Sequence, residues 1–121
     1  MDDESGLKAL VDAYARAVDG RDFDGVASLF TADGVLIVNG RETRQREAII
    51  SAMRSLEQYD RTEHVVHGTK WTVDGDTASG ITHGTAHHIK GDDDRVVDIT
   101  YVDTATRDNS NTWRFTRREL T

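Results

Sequence analysis

Two short segments of this 121-residue chain carry residue types able to move a proton. One closes an N-terminal helical pattern with Tyr14 and, five positions on, Asp19. The other runs Glu63-His64-Val65-Val66-His67-Gly68-Thr69-Lys70-Trp71. An aspartate and an imidazole drawn into one cavity form a base dyad, in which the acid orients the ring and the ring takes the proton. A tyrosine beside them would donate a hydrogen bond to a carbonyl or a leaving hydroxyl.

Each candidate has a bland reading as well. On a helical wheel Asp19 falls off the Leu7–Tyr14 stripe, nearer Lys8 and Asp12, as a solvated helix end would. Its place in the last turn still allows a change of chain direction to turn it inward. Strict alternation along the His64 segment would bury His67 and Trp71 together. A bulge at Gly68 would reverse that parity and give His64 and Trp71 a common interior face. Tyr14 lies on the core stripe, where packing alone would explain it.

His83, His87 and His88 do not have metal-site spacing. Neighbours on a strand point to opposite faces, and His83 and His87 are ~13 Å apart along it. The two-histidine zinc pattern on a helix with a glutamate is missing, so no metal and no cofactor are expected. Asp92-Asp93-Asp94 lacks the alternating ligands of a calcium loop and reads as a solvated hairpin turn. Asp98 could face the cavity or pair with an arginine, and Asp103 and Arg107 read as structural. No phosphate-binding glycine loop, nucleophile elbow or Cys-His pair is present.

The elements that must position these residues follow from the periodicity. Ser5 can cap a helix through Leu7, Leu10, Val11, Tyr14, Ala17 and Val18, ended by Gly20. A short helix follows through Phe23, Val26, Ala27, Leu29 and Phe30. Ala32-Asp33-Gly34 reads as a turn, Val35–Val38 as a short buried strand, and Asn39-Gly40 as another turn. Thr43 can cap a third helix through Ile49, Ile50, Met53, Leu56 and on to Tyr59. From residue 62 the period is two, giving strands at 63–73, 76–90, 95–107 and 112–120. The turns between them are Asp74-Gly75, residues 91–94 and residues 108–111. Helices followed by long antiparallel strands read as α+β, with helices on one face of a curved sheet.

Composition bounds the function. The length suits one domain over residues 1–121. Twenty-two acidic against 15 basic residues give a net charge of -7, which disfavours nucleic acid and anionic membranes. The absence of cysteine removes disulfides, thiolate ligands and thiol nucleophiles. No apolar run approaches the ~20 residues of a membrane span. The acidic start Met1-Asp2-Asp3-Glu4-Ser5 is unlike a secretion signal, so a cytoplasmic protein is expected.

The segment from His64 to Trp71 resembles the His-x-x-Gly-Gly-Thr-Arg-Trp run of the scytalone dehydratase family. Tyr14 and Asp19 match the Tyr-x-x-x-x-Asp pattern of dehydratases in the same SnoaL-like group of the nuclear transport factor 2-like superfamily. The resemblance implies a cone in which three helices pack on a curved, mainly antiparallel sheet around an apolar pocket. It implies catalytic roles for Asp19, His64, Tyr14 and His88, with His87 taking the last role if the register slips by one. Trp71, His87, Asp98 and Tyr101 are then expected to bind substrate. The leading expectation is a cofactor-free lyase that removes water from a small hydrophobic hydroxy-carbonyl compound. The alternatives are an isomerase or cyclase using the same pocket, and a binding module without chemistry. A homodimer is expected from the open outer face of such a sheet.

Overall fold

The structure, a computed structural model, describes residues 3–121; Met1 and Asp2, the start of the acidic stretch, lie outside the described residues. Helix α1 (Asp3–Asp19) buries Leu7, Leu10, Val11, Tyr14 and Val18 along one side, each aliphatic side chain worth roughly 1.5–3 kcal/mol when fully buried. The helix is already under way at Asp3, so Ser5 sits in its first turn rather than at a cap. Its end is built by Gly20, whose N–H reaches Arg16 O at 2.9 Å, and by Arg21, which takes the left-handed conformation at φ 57°. Helix α2 (Phe23–Ser28) is capped by Asp22, whose carboxylate accepts from Gly25 N.

Strand β1 (Phe30–Val38) passes through Ala32-Asp33-Gly34, where a turn was expected. The local disorder of pairing survives as a register shift between Phe30 and Val35. Strand β2 (Arg41–Arg44) was not anticipated. It takes Thr43 into a hairpin with β1 and moves the start of α3 (Arg46–Met53) to Gln45, at φ 75°. The helical pattern beyond Met53 tightens into a 3-10 turn (Arg54–Gln58).

Four long strands complete the fold: β3 (Arg61–Asp74), β4 (Thr77–Lys90), β5 (Asp93–Arg107) and β6 (Trp113–Leu120). The sheet order is β2-β1-β6-β5-β4-β3, all antiparallel except β1 against β6. The sheet is therefore mixed and open, the helices lie against one face, and the class is α+β, as the element order implied. Among the described residues no helix is long and apolar enough to cross a membrane.

Two details of β3–β5 decide where the histidines go. An extra residue on β3, His67, lies between the pairs Val66–Gly84 and Gly68–His83. This bulge, one residue from the expected place, puts Thr62, His64, Val66, Thr69 and Trp71 on the concave side. The turn after β4 uses only Gly91 and Asp92, because Lys90 already pairs with Asp93. That shortened loop sets Arg95 opposite His88 and leaves His87 on the outer face.

Candidate active site

β3 is an edge strand, so the backbone N–H groups that point away from β4 have no strand to receive them. The N–H of His64 is such a group, and the carboxylate of Asp19 accepts it at 2.7 Å. The same carboxylate accepts from Thr62 Oγ1 at 3.0 Å and meets His64 Nδ1 at 2.7 Å. Asp19 thus leaves the wheel position of a solvated residue because the end of α1 runs alongside β3. Its three partners offset the desolvation and the unfavourable position at a helix C-terminus. The side chains of His64 and Asp19 keep 10% and 25% of their exposure. With Nδ1 committed to Asp19, Nε2 is the ring nitrogen that His64 offers to the cavity it lines.

That cavity holds about 920 Å³ between α1, α3, the 3-10 turn and the concave side of the sheet, a size suited to one small ligand. Val18, Leu36, Met53, Leu56 and Ile99 form its apolar part, Tyr14, Tyr59, His64 and His88 are among its polar groups, and Arg41, Arg95 and Asp98 border it as well. The His88 ring lies 6.1 Å from that of His64, centroid to centroid, and 4.9 Å from Tyr59. Burial first, then the nearby His64, lower the His88 pKa, which keeps its ring neutral. Its Nδ1 is buried without a hydrogen bond. Tyr59 is fixed in turn by Arg21, which donates to the Tyr59 carbonyl from the left-handed bend after α1.

Tyr14 borders the same space, 3% exposed, with the Arg118 guanidinium 4.2 Å from its ring. Burial is the main cause that pushes its pKa up, so the phenol stays a donor. Beneath it Arg118 stacks on Tyr101 at 3.9 Å and on Phe115 at 4.6 Å, and its Nε lies 3.1 Å from Asp103 Oδ1. Burial raises the Asp103 carboxyl to about 6, against the opposing pull of Arg118. Asp103 is structural, as expected. Arg107 also holds the frame together, joining Asp3 of α1 to Asp76 and lying over Trp113.

Tyr14, His64 and His88 therefore line one cavity, with Asp19 behind the His64 ring, and of the four residues expected to bind substrate only Asp98 borders that cavity. Trp71 fills the space above Gly80, where a Cβ would overlap its indole, and donates from Nε1 to Thr69 Oγ1 at 2.8 Å. On β4, Gly80 thus receives the Trp71 ring and Gly84 the backbone carbonyl of Val65. Tyr101 is a packing surface for Arg118, with its hydroxyl pKa raised mainly by burial. His87 faces outward and pairs with Asp94 at 2.9 Å, because the register is set by the two-residue turn. Asp98 lies at the cavity rim, but its carboxylate accepts from Thr85 Oγ1 on the outer side. Sequence reasoning missed Tyr59, Arg41 and Arg95 at the cavity. Only Arg95 had a readable signal, its register opposite His88 once the turn length is known. Among the described residues no three acidic or histidine side chains are grouped to hold a metal ion.

No curated protein matches the sequence. Among solved structures, a protein of unknown function from Mycobacterium tuberculosis is similar with TM-score 0.89 and 24% identity, over 96% of this chain and 69% of that one. A putative scytalone dehydratase from Novosphingobium aromaticivorans gives TM-score 0.87 and 20% identity, over 97% and 81%. The ActVI-ORFA protein of Streptomyces coelicolor gives 0.86 and 17%, over 98% and 95%. At these identities the likeness establishes the fold alone. The family model for the SnoaL-like domain matches residues 1–119, and the chain belongs to that family.

Proposed function

We propose that the protein is a cofactor-free lyase that removes water from a small hydrophobic β-hydroxy-carbonyl compound. The observation that carries this reading is the Asp19 carboxylate, fixed by the His64 backbone and bonded to His64 Nδ1 at 2.7 Å on the wall of an apolar cavity. In this reaction His64 Nε2 takes the proton next to the carbonyl. The electron pair of that C–H bond becomes the new double bond as the C–O bond on the neighbouring carbon breaks. Asp19 stabilises the imidazolium that results. Tyr14 donates to the carbonyl oxygen as negative charge builds there. His88 is neutral, so it holds the leaving hydroxyl by a hydrogen bond and does not store a proton for it. The proton that completes water is the one His64 has taken. The likeness to a putative scytalone dehydratase supports the reaction class by analogy only.

The test is a screen of hydroxy-ketones and aromatic polyketide-like alcohols for dehydration, followed by substitution of the dyad. Asp19→Asn and His64→Ala should each lower turnover roughly 100-fold or more. The double variant should be little worse than either, because residues acting as a unit are not additive. Near-normal turnover in either single variant would end the proposal.

We also infer a homodimer through the outer sheet face. Ile81 and Val102 are exposed and directly paired there, with Val65 and Val96 nearby at 37% and 55% exposure. Isologous packing would cover them. Light scattering that returns a 13.5 kDa monomer at micromolar concentration would count against it.

A further inference from the structure

Most arginines of this acidic chain have partners. Arg107, Arg114, Arg117 and Arg118 each face a carboxylate, and Arg21 and Arg46 donate to backbone carbonyls. The side chains of Arg41 and Arg95 have no ion pair or hydrogen bond among the described residues, and both residues border the cavity. Arg95 stands opposite His88 in the β4–β5 ladder, so the two side chains leave the sheet on the same face. Its charge is felt at His88, where it is one of the causes that lower the ring's pKa. Asp98, the one acidic residue on the cavity wall, is turned to Thr85. Exposed arginines on a protein of net charge -7 would ordinarily be drawn to a neighbouring acid. Here two stand unpaired at the edge of an apolar space.

We propose that the cavity takes a ligand bearing a carboxylate, held by Arg95 at the mouth beside His88, with Arg41 at the start of β2 as a second cation on the rim. The apolar body of the ligand lies inward, against Val18, Leu36 and Ile99. This rests on the reading of the cavity as a site for a small hydrophobic carbonyl compound and narrows that compound to an organic acid. A guanidinium presents paired N–H donors that match both oxygens of a carboxylate, so the contact fixes which end of the ligand stays at the mouth. The reacting carbons are thereby placed near His64 and His88.

Two probes of one shape separate charge from fit: 2-naphthoate and the uncharged 2-naphthamide, titrated by calorimetry at low and high salt. The wild-type protein should prefer the acid by roughly 10-fold or more, the scale of a hydrogen bond to a charged group, and salt should reduce the preference. Arg95→Gln should abolish most of that preference and leave the affinity for the amide unchanged. Arg41→Gln should abolish a smaller part. Equal affinities in the wild type, a preference that survives both substitutions, or no binding of naphthoate would each overturn the proposal. Asp19→Asn distinguishes this from the lyase reading: it should lose turnover while keeping the preference for naphthoate. If that preference is absent while the dyad variants still lose turnover, only the carboxylate proposal fails.

Discussion

His64 with Asp19 and His87 with Asp94 are the same two residue types at almost the same distance, 2.7 and 2.9 Å, on opposite faces of one sheet. The outer pair joins residues seven apart across a tight hairpin. The inner pair joins residues 45 apart, and it exists only because α1 ends against the edge of β3. A second outer network, His67 Nε2 to Thr85 Oγ1 at 2.7 Å and on to Asp98 at 3.2 Å, even has the form of a relay. The His87–Asp94 pair does not line the cavity that His64 faces, the relay touches that cavity only through Asp98 at its rim, and water competes for the hydrogen bonds of both. A histidine–carboxylate contact is thus common on this surface. What singles out the inner one is an apolar enclosure on one side and an anchored acid on the other.

A third charged pair carries burial further and gives the largest expected effect. Asp103 and Arg118 are each 1% exposed, and Arg118→Met would leave the acid alone in the core. That should cost about 3–5 kcal/mol, as for other broken buried pairs. Replacing both residues together, Arg118→Met with Asp103→Leu, should recover most of the loss in urea unfolding. Recovery would show that this pair is a packing element, unlike Asp19 with His64.

The two histidine pairs themselves are contrasted next. His87→Ala should leave turnover within about twofold and stability within about 0.5 kcal/mol, as for most surface changes, while His64→Ala loses roughly 100-fold in turnover. Equal losses would erase the distinction between the faces. A smaller effect separates the inward Gly80 from Gly68 beside the bulge. Gly80→Ala would collide with the Trp71 ring and should cost about 1–3 kcal/mol. Gly68→Ala meets nothing within 4 Å and should be neutral or slightly stabilising.

Two further effects are in pH dependence, and they have opposite signs. The His88 pKa is lowered on folding, so its contribution is present above its unfolded value near 6.5 and is lost as pH falls below that. The Asp103 carboxyl is raised from 3.8 to about 6, so its contribution is present below 3.8 and is lost as pH rises through about 6. Unfolding measured from pH 4 to 7 should show His88→Ala flattening the acid-side loss and Asp103→Asn removing the loss on the rise.

Legibility in the sequence followed the range of the interactions. The α1 stripe and the long strands were readable because their periods are local properties. Strand β2 was not, since four residues, three of them exposed, carry no period and only the hairpin with β1 orders them. Asp19, His64 and His88 came from short matched motifs; Asp19 in particular contradicts its own wheel position, which only the edge of β3 explains. Trp71 and Tyr101 were expected to bind substrate because an aromatic on an inward face looks the same in sequence whether it lines a space or fills one. The indole over Gly80 and the guanidinium over Tyr101 are contacts made across the sheet, which periodicity does not carry.

The hydrogen bond from the His64 backbone to Asp19 has a consequence for how such a site can change. Half of the acid's attachment at this position is independent of which side chain residue 64 carries, since every amino acid except proline supplies that N–H. A lineage could exchange the imidazole for another group, or discard it, without setting the carboxylate adrift. The fold therefore separates a permanent socket from an interchangeable tool, and one replacement at position 64 can redirect the chemistry while the scaffold around it stays as it was.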